Sequence, residues 1–273
     1  MDFLDKLTKC IRKNNSLLCV GLDPDKTNIP KHLKGVSSQY QFTKSIVDVT
    51  SDLVCAFKLN SAFYEAEGSN GILQLKKICD YLNSNYSHIP TILDAKRADI
   101  GNTNYGYAAY AFDYLNVGAV TVNPYLGGKT LSLFLDRKDR GVIILCRTSN
   151  PGAGEIQDLV SDDKKIYQIV AEKVKNDWNE NANCLLVVGA TYPEELAEIR
   201  KIVGDDMVLL IPGLGAQGGE VEATVKAGVN KHREGIIINS SRSVIFASTG
   251  TDFAEAARKA ATEFRNEINK VRG

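Results

Sequence analysis

The sequence predicts a single (β/α)8 TIM barrel that spans residues 1–273. Short apolar runs rich in β-branched residues alternate with longer amphipathic stretches eight times along the chain. This pattern is typical of parallel strands that are covered on both faces. No Pro/Ser-rich linker or domain-sized change in composition interrupts it, and such a barrel usually takes about 250 residues. A doubly wound open sheet is the main alternative, because strand order cannot be read from a sequence.

Each apolar run predicts one strand of the barrel. In chain order the expected strands are Leu17–Leu22, Leu53–Leu59, Ile89–Leu93, Ala119–Val122, Gly141–Cys146, Cys184–Val188, Met207–Ile211 and Gly235–Ile238.

Three of the helical stretches have boundaries that the sequence indicates. Asp162–Trp178 carries apolar residues at helical spacing. Pro193–Val203 begins with Pro-Glu-Glu, a favourable helix start, and ends before Gly204. Thr251–Val271 closes the chain, and Thr251 is the expected N-cap.

Composition and charge exclude several classes of protein. The chain has 33 basic and 33 acidic residues, so we expect no general attraction to nucleic acid or to an anionic membrane. Met1–Asn15 lacks the apolar core of a signal peptide, and no run approaches the roughly 18 apolar residues of a membrane span. We therefore expect a cytoplasmic protein. The six cysteines include no CxxC pair and there are only three histidines, so we expect neither disulfides nor a metal site.

Polar side chains and glycines follow the apolar runs at the point where each strand should end. In such a barrel the functional residues stand at this carboxyl-terminal face, so the pattern favours an enzyme over a structural module. The residues at these strand ends are Asp23, Lys58, Asp94, Lys96, Asn123, Arg147, Ser149, Pro212–Gly219 and Asn239–Arg242.

The clearest candidate for catalysis is the segment Asp94-Ala95-Lys96-Arg97-Ala98-Asp99, directly after the third strand. Residues two apart in a strand share a face, so Asp94 and Lys96 should both project into the mouth of the barrel. Their opposite charges should keep the lysine protonated and the carboxylates ionised. Alone, such a motif is more often a solvated salt-bridge cluster. The buried strand before it, and a second lysine at a strand end, Lys58, favour a functional site.

A phosphate site is the next expectation. The glycine-rich loop Pro212–Gly219 allows backbone N–H groups to approach an anion, and a helix start follows it. A glycine loop alone is more often a tight turn. Arg242, at the end of the eighth strand, could bind phosphate through both of its guanidinium N–H groups, and the loops after strands seven and eight are the usual phosphate site in barrels. Together they favour phosphate binding.

The loop after the fifth strand, Arg147–Gly154, is less specific. Ser149 could form a hydrogen bond with a ligand, and the proline and glycine content suggests a mobile lid. An ordinary surface loop explains the same residues equally well.

Together these motifs resemble the orotidine 5′-monophosphate decarboxylase family, from about Ser16 to Thr249. The Asp-Ile-Gly-Asn-Thr form is similar to the longer bacterial branch, whereas many shorter members carry proline where Gly101 stands. The matching positions are Lys58, Asp94-x-Lys96-x-x-Asp99-Ile100 with Asn102-Thr103, Ser149-x-Pro151-Gly152, Pro212–Gly219 with Gln217, and Arg242.

The resemblance implies the reaction and the catalytic roles. The reaction would be cofactor-independent decarboxylation of orotidine 5′-monophosphate to uridine 5′-monophosphate and CO2, the last step of de novo UMP synthesis. Asp94 would lie near the substrate carboxylate. Lys96 would stabilise the carbanion that develops at pyrimidine C6 and then donate the proton. Lys58, with Asp23, would bind ribose hydroxyls and order the charged residues.

The resemblance also implies a homodimer with shared active sites. Asp99, which would be catalytic together with Lys58, Asp94 and Lys96, and Thr103, which would bind substrate, would reach into the partner subunit's site. The other substrate-binding residues would be Ser149 at the pyrimidine, Gln217 and Arg242 at the phosphate, and Ser241.

Two other functions remain open from the sequence. A related barrel lyase or epimerase acting on a sugar phosphate would use a magnesium ion and an acidic residue near the end of strand two, where this chain has Lys58. A non-catalytic nucleotide-binding or scaffold protein would not need Asp94, Lys96 and Asp99 together.

Overall fold

The computed structural model describes residues 1–215 and 218–273 and contains a closed barrel of eight parallel strands. Each strand pairs with its neighbours in the sequence, and the last pairs with the first: Leu18 lies opposite Ile238, and Cys19 lies opposite Ala56 on the other side. The predicted (β/α)8 barrel is therefore confirmed, and the open-sheet alternative is wrong. The strands are β1 Leu18–Gly21, β2 Ala56–Asn60, β3 Thr91–Arg97, β4 Ala119–Val122, β5 Gly141–Arg147, β6 Cys184–Val188, β7 Leu209–Pro212 and β8 Ile236–Ser240.

The strands differ from the apolar runs at both ends: five of the eight begin one to three residues later than predicted, and five extend beyond the predicted carboxyl end. The bounds of β4 and β6 agree with the sequence, but β3 continues to Arg97 and β8 to Ser240. Apolar patterning marks burial, whereas the hydrogen-bonded ladder continues through the polar residues at the barrel mouth. Lys58, Asp94 and Lys96 are thus held by strands rather than by loops.

The opposite end of the barrel is closed by the amino-terminal helix. Phe3 is 3% exposed and packs against the starts of two strands. A Cβ atom on Gly118 would lie 2.9 Å from Phe3 Cδ2, and one on Gly141 would lie 2.7 Å from Phe3 Cδ1. Only glycine leaves room for the ring. Packing of this kind favours function at the other end of the barrel.

The helices cover the outer surface of the barrel. The longest are Phe3–Asn14, Ser38–Thr50, Gly68–Asn85, Pro193–Val203, Gly218–Gly228 and Phe253–Arg272; shorter α-helical segments are Ser61–Glu65, Gly101–Ala108, Ser132–Leu135, Gly154–Gln157, Ile166–Lys173 and Arg242–Ile245. Two of these continue as π-helices, Ala109–Tyr114 and Val174–Trp178, and short 3-10 helices occur at Lys31–Leu33 and Gly128–Leu131.

Two predicted helix starts are wrong. Asp162 and Asp163 form the turn of a short hairpin, with φ of 51° and 60°, and the helix begins only at Ile166. The polar turn interrupts the helical pattern that the sequence shows. Thr251 is not an N-cap, because the last helix begins at Phe253 and no side chain caps it. The predicted Pro193–Val203 helix is confirmed.

Two further observations concern the expected cellular setting. In the described part of the chain, no helix is both long enough and apolar enough to cross a membrane. All six cysteines are free and buried.

Candidate active site

The candidate site is a cleft of about 520 Å³ at the carboxyl ends of the strands. It brings together residues that are far apart in the sequence, because all parallel strands end at this face. The cleft is lined by Asp23, Lys58, Asn60, Phe63, Asp94, Pro212–Gly215 and Asn239–Ser243.

Asp94 lies at the centre of an ion-paired chain. Its Oδ2 atom is 2.9 Å from Nζ of Lys58, and its Oδ1 atom is 2.7 Å from Nζ of Lys96. The side chains of Lys58 and Asp94 are 4% and 11% exposed, whereas that of Lys96 is 49% exposed. One buried and one accessible ammonium group thus share a single carboxylate.

The charged neighbours of Asp94 and Lys58 control the protonation of these two side chains. Burial would raise the pKa of Asp94, but Lys58 and Lys96 outweigh it and hold that pKa well below its usual range. Burial would lower the pKa of Lys58, but Asp23 and Asp94 outweigh it and raise that pKa. Asp94 and Lys58 are therefore ionised at neutral pH, and the site presents fixed charge of both signs.

A β-bulge, rather than regular strand alternation, brings Lys96 to Asp94. Leu93 pairs with Val120 and Arg97 with Val122, so three residues of β3 lie opposite the single residue Thr121. Lys96 has a φ of 47°, which is unusual for a residue with a side chain. The predicted convergence of Asp94 and Lys96 is present, but the period-two argument for it is wrong.

Asp23, which follows β1, forms a hydrogen bond with the end of β2. It is 8% exposed, and its Oδ1 atom accepts a hydrogen bond from the backbone N–H of Asn60 at 3.3 Å. A Cβ atom on Gly21 would lie 1.9 Å from Ser241 Oγ and 3.2 Å from Asp23 Oδ2. Glycine at this position therefore lets Ser241 pack across the end of β1, next to Asp23.

The expected phosphate residues lie along the same cleft. Arg242 begins a short helix after β8 and is exposed. Asn239 donates to Ser241 Oγ at 3.3 Å. Gly213 has a φ of 85°, which glycine adopts without strain. Gln217 lies outside the described residues.

Ser149 lies between the ends of β6 and β7. A Cβ atom on Gly189 would meet Ser149 Cβ at 2.8 Å, and one on Gly213 would lie 3.7 Å from Ser149 Oγ. The loop that carries Ser149 is held by Gln157, whose Oε1 accepts from the backbone N–H of Thr148 at 2.9 Å. Ser149 therefore lies beside the glycine loop, on a segment that is hydrogen-bonded in place.

Asp99 and Thr103 are not joined to the charged chain within one subunit. Asp99 Oδ1 accepts from the N–H of Ile100 at 2.7 Å, and Thr103 is exposed. Neither forms a hydrogen bond or ion pair with Lys58, Asp94 or Lys96 among residues 1–215 and 218–273.

The structure also shows site residues that the sequence reasoning missed. Asn60 lines the cleft, and its side chain accepts from the N–H of Ala62 at 3.1 Å. Thr121 is 1% exposed and contacts both Asp94 and Lys96. A single hydroxyl within the apolar run Ala119–Val122 was the available signal for Thr121.

The donor set of the site is poor in metal ligands. Among the described residues, no group of three or more His, Cys, Asp or Glu side chains is arranged to hold a metal ion. At the end of β2, where a metal-dependent sugar-phosphate enzyme would need an acid, Lys58 pairs with Asp94.

The comparison with known proteins decides the family. A sequence profile described as "Orotidine 5'-phosphate decarboxylase / HUMPS family" matches residues 16–260. The chain belongs to this family. The resemblance that the motifs indicated is therefore confirmed.

Curated relatives in the family match over their full length. Orotidine 5′-phosphate decarboxylase of Ralstonia pickettii is 48% identical over 273 residues, with 100% of both chains covered. The protein of the same name from Cellvibrio japonicus is 50% identical over 275 residues, again with 100% of both chains covered.

Solved structures agree in fold. Leishmania donovani OMP decarboxylase superimposes with a TM-score of 0.87 at 35% identity, and the match covers 100% of this chain and 99% of that chain. A putative orotidine-monophosphate decarboxylase from Toxoplasma gondii gives a TM-score of 0.90 at 34% identity, covering 99% and 97%.

Proposed function

We propose that the protein catalyses the decarboxylation of orotidine 5′-monophosphate to uridine 5′-monophosphate and CO2, the last step of de novo UMP synthesis. The observation that carries this proposal is the ion-paired chain Lys58–Asp94–Lys96 at the mouth of the barrel, where Lys58 and Asp94 line the same cleft as Arg242. Membership in the family and full-length relatives named for this activity support it. They do not favour the sugar-phosphate alternative.

The charged groups of the substrate determine how it lies in the cleft. Its phosphate binds at Arg242 and the glycine loop, with Ser241 and Gln217 as further ligands. Lys58 and Asp23 bind the ribose hydroxyls at the buried end of the cleft. The pyrimidine then extends toward Lys96, with Ser149 as a contact to the ring.

The chemical step needs only groups of the protein. The bond between C6 and the carboxylate carbon breaks, its electron pair stays on C6, and CO2 leaves. The ammonium of Lys96 stabilises that negative charge and transfers one proton to C6, and solvent returns a proton to the amine, which is 49% exposed. A fixed cation that meets charge as it develops acts mainly on the transition state.

The carboxylate of Asp94 has two functions in this scheme. It lies near the substrate carboxylate, so their repulsion is relieved when CO2 departs. It also holds Lys96 through a 2.7 Å ion pair. Because Lys58 binds its other oxygen at 2.9 Å, the carboxylate cannot rotate freely, and the position of Lys96 is set before substrate binds.

We further propose a homodimer in which Asp99 and Thr103 complete the partner subunit's site. Large apolar side chains are exposed around this segment: Ile100 is 62% exposed, Tyr105 64% and Tyr125 84%. Tyr125 also lines a mostly apolar cleft of about 560 Å³ beside β4 and β5. Exposed apolar surface of this kind favours association.

The remaining proposals concern the organisation and setting of the chain. We propose that residues 1–273 form one domain, supported by contacts of the last helix with Gly218–Gly228 and Ser38–Thr50. A cytoplasmic location is supported by the free, buried cysteines. A zero formal charge is a reason to expect no nucleic-acid or membrane partner.

The test of function is turnover by the purified protein. We expect release of CO2 and formation of uridine 5′-monophosphate from orotidine 5′-monophosphate, with no loss of rate on adding a chelator. Lys96→Ala should abolish turnover but retain the fold and the binding of uridine 5′-monophosphate. Binding without turnover in the wild type would instead indicate the non-catalytic alternative, and loss of rate with chelator would support the metal-dependent one.

Dimerisation and site sharing can be tested by complementation. Lys96→Ala and Asp99→Ala should each be nearly inactive alone. If the two variants are mixed and subunits exchange at random, half of the dimers contain one of each, and each of these has one intact site. Activity should return to about a quarter of the wild-type value. No recovery, with exchange verified, would contradict the sharing of sites.

A further inference from the structure

Thr121 forms hydrogen bonds with both Asp94 and Lys96, the two members of the ion-paired chain that take part in the proposed reaction. Its Oγ1 atom donates to Asp94 Oδ1 at 2.9 Å and accepts from the backbone N–H of Lys96 at 2.9 Å. The residue lies in the middle of β4 and is 1% exposed. The hydroxyl proton therefore points at the carboxylate, and an oxygen lone pair receives the lysine N–H.

The backbone at Lys96 needs this partner. The bulge places Asp94, Ala95 and Lys96 opposite one residue of β4. A non-glycine residue at a φ of 47° is held away from its preferred conformations. The hydroxyl of Thr121 binds the Lys96 N–H at the site of this irregularity, so the side chain acts as a substitute for a ladder acceptor.

The same hydroxyl restrains the carboxylate. Asp94 Oδ1 receives Lys96 Nζ at 2.7 Å and Thr121 Oγ1 at 2.9 Å, while Oδ2 receives Lys58 Nζ at 2.9 Å. Three donors from three strands fix the plane of the carboxylate. Thr121 is the only uncharged donor among these three, and β-branching and burial restrict the rotation of its side chain.

We propose that Thr121 is a positioning residue, whose hydroxyl holds the backbone of Lys96 and the carboxylate of Asp94 in the geometry that the reaction needs. This inference rests on the proposed function. It adds a specific role for a residue that is 1% exposed and therefore acts through Asp94 and Lys96 rather than on the substrate itself.

The test compares Thr121→Val, which keeps the shape and removes the hydroxyl, with Thr121→Ser, which keeps the hydroxyl. Thr91→Val is the matched control, because Thr91 is also a buried threonine whose Oγ1 accepts a backbone N–H, from Gly118 at 3.1 Å, but at the far end of β3. Each variant is assayed for kcat, KM, affinity for uridine 5′-monophosphate and thermal unfolding.

We expect Thr121→Val to lose about 10- to 100-fold in kcat, with KM and product affinity changed by less than about threefold. Thr121→Ser should recover most of the lost kcat. Thr91→Val should keep wild-type kcat even if its Tm falls. A positioning role requires this separation of kcat from binding, whereas a purely structural role would lower Tm without it.

Three results would overturn the proposal: wild-type kcat in Thr121→Val, an equal loss in Thr121→Ser, or an equal loss in Thr91→Val. Should Thr121→Val not fold, a crystal structure of the wild type with uridine 5′-monophosphate decides, since a Lys96 N to Thr121 Oγ1 separation above the hydrogen-bonding range would also contradict it. Failure of the proposed function itself is recognised separately, as absence of turnover in the wild type.

Discussion

Lys58 and Asp94 form a buried ion pair, with 2.9 Å between Nζ and Oδ2 and side-chain exposures of 4% and 11%. Moving two charges out of water costs free energy that their attraction only partly returns. A pair of well-packed apolar residues at these positions would stabilise the fold at least as well as the ion pair does. The pair is therefore best explained by the need for fixed charge beside Lys96.

Removal of one member of this pair should destabilise the protein strongly. Lys58→Met leaves the Asp94 carboxylate buried, with Lys96 and Thr121 as its remaining donors among the described residues, so we expect the free energy of unfolding to fall by about 3 kcal/mol. Urea denaturation at pH 7 measures this change. The double variant Lys58→Met/Asp94→Leu removes both buried charges and should be more stable than the single variant. If the double variant is the less stable of the two, this explanation of the pair is wrong.

Stability should depend on acid pH through Asp94. The charges of Lys58 and Lys96 overcome the effect of burial and hold its pKa well below the usual range. A carboxyl with a depressed folded-state pKa adds stability above its unfolded pKa, about 3.9, and that stability is lost as pH falls toward the folded value. The difference in unfolding free energy between wild type and Asp94→Asn should thus be constant from pH 7 to pH 5 and shrink below about pH 4. A constant difference down to pH 3, measured by urea denaturation, would contradict this assignment.

Arg242 should contribute to binding through the substrate phosphate. Arg242→Ala should raise KM and weaken binding of uridine 5′-monophosphate by about 10- to 100-fold, the range for a charge-assisted hydrogen-bond pair. Decarboxylation of orotidine, which lacks the phosphate, should be unaffected. Arg233→Ala is a suitable control, because Arg233 is also exposed but binds the backbone carbonyls of Arg272 and Gly273. Equal effects of Arg242→Ala on both substrates would falsify the phosphate role.

Gly21 should be intolerant of a side chain. A Cβ atom there would lie 1.9 Å from Ser241 Oγ, so Gly21→Ala must displace Ser241 and with it the start of the Arg242 segment. We expect KM to rise at least about tenfold, since small displacements at a binding site are costly. The matched control is Gly35→Ala, since a Cβ atom on Gly35 would meet nothing within 4 Å. Steady-state kinetics on both variants would decide, and similar KM values for the two would count against the packing argument.

Much of this protein follows from its sequence. The alternation of apolar and amphipathic stretches predicted eight parallel strands separated by helices, because parallel strands buried on both faces must be apolar throughout. The rule that barrel enzymes bind ligands at the carboxyl ends of their strands led to Lys58, Asp94, Lys96 and Arg242. In the structure Lys58, Asp94 and Arg242 line one cleft, and Lys96 forms an ion pair with Asp94. The family followed from the same residues.

The tertiary structure determined the features that depend on contacts between residues distant in the sequence and on the course of the backbone. Closure of the sheet required the pairing of β1 with β8, which no local pattern reports. The bulge at Lys96 arises from the register shift between β3 and β4. The contacts of Thr121 with Asp94 and Lys96 depend on this pairing of the two strands, which the sequence of β4 alone does not reveal. The hairpin turn at Asp162 and Asp163 likewise interrupted a helical pattern, since spacing records which face is buried and not where the backbone turns.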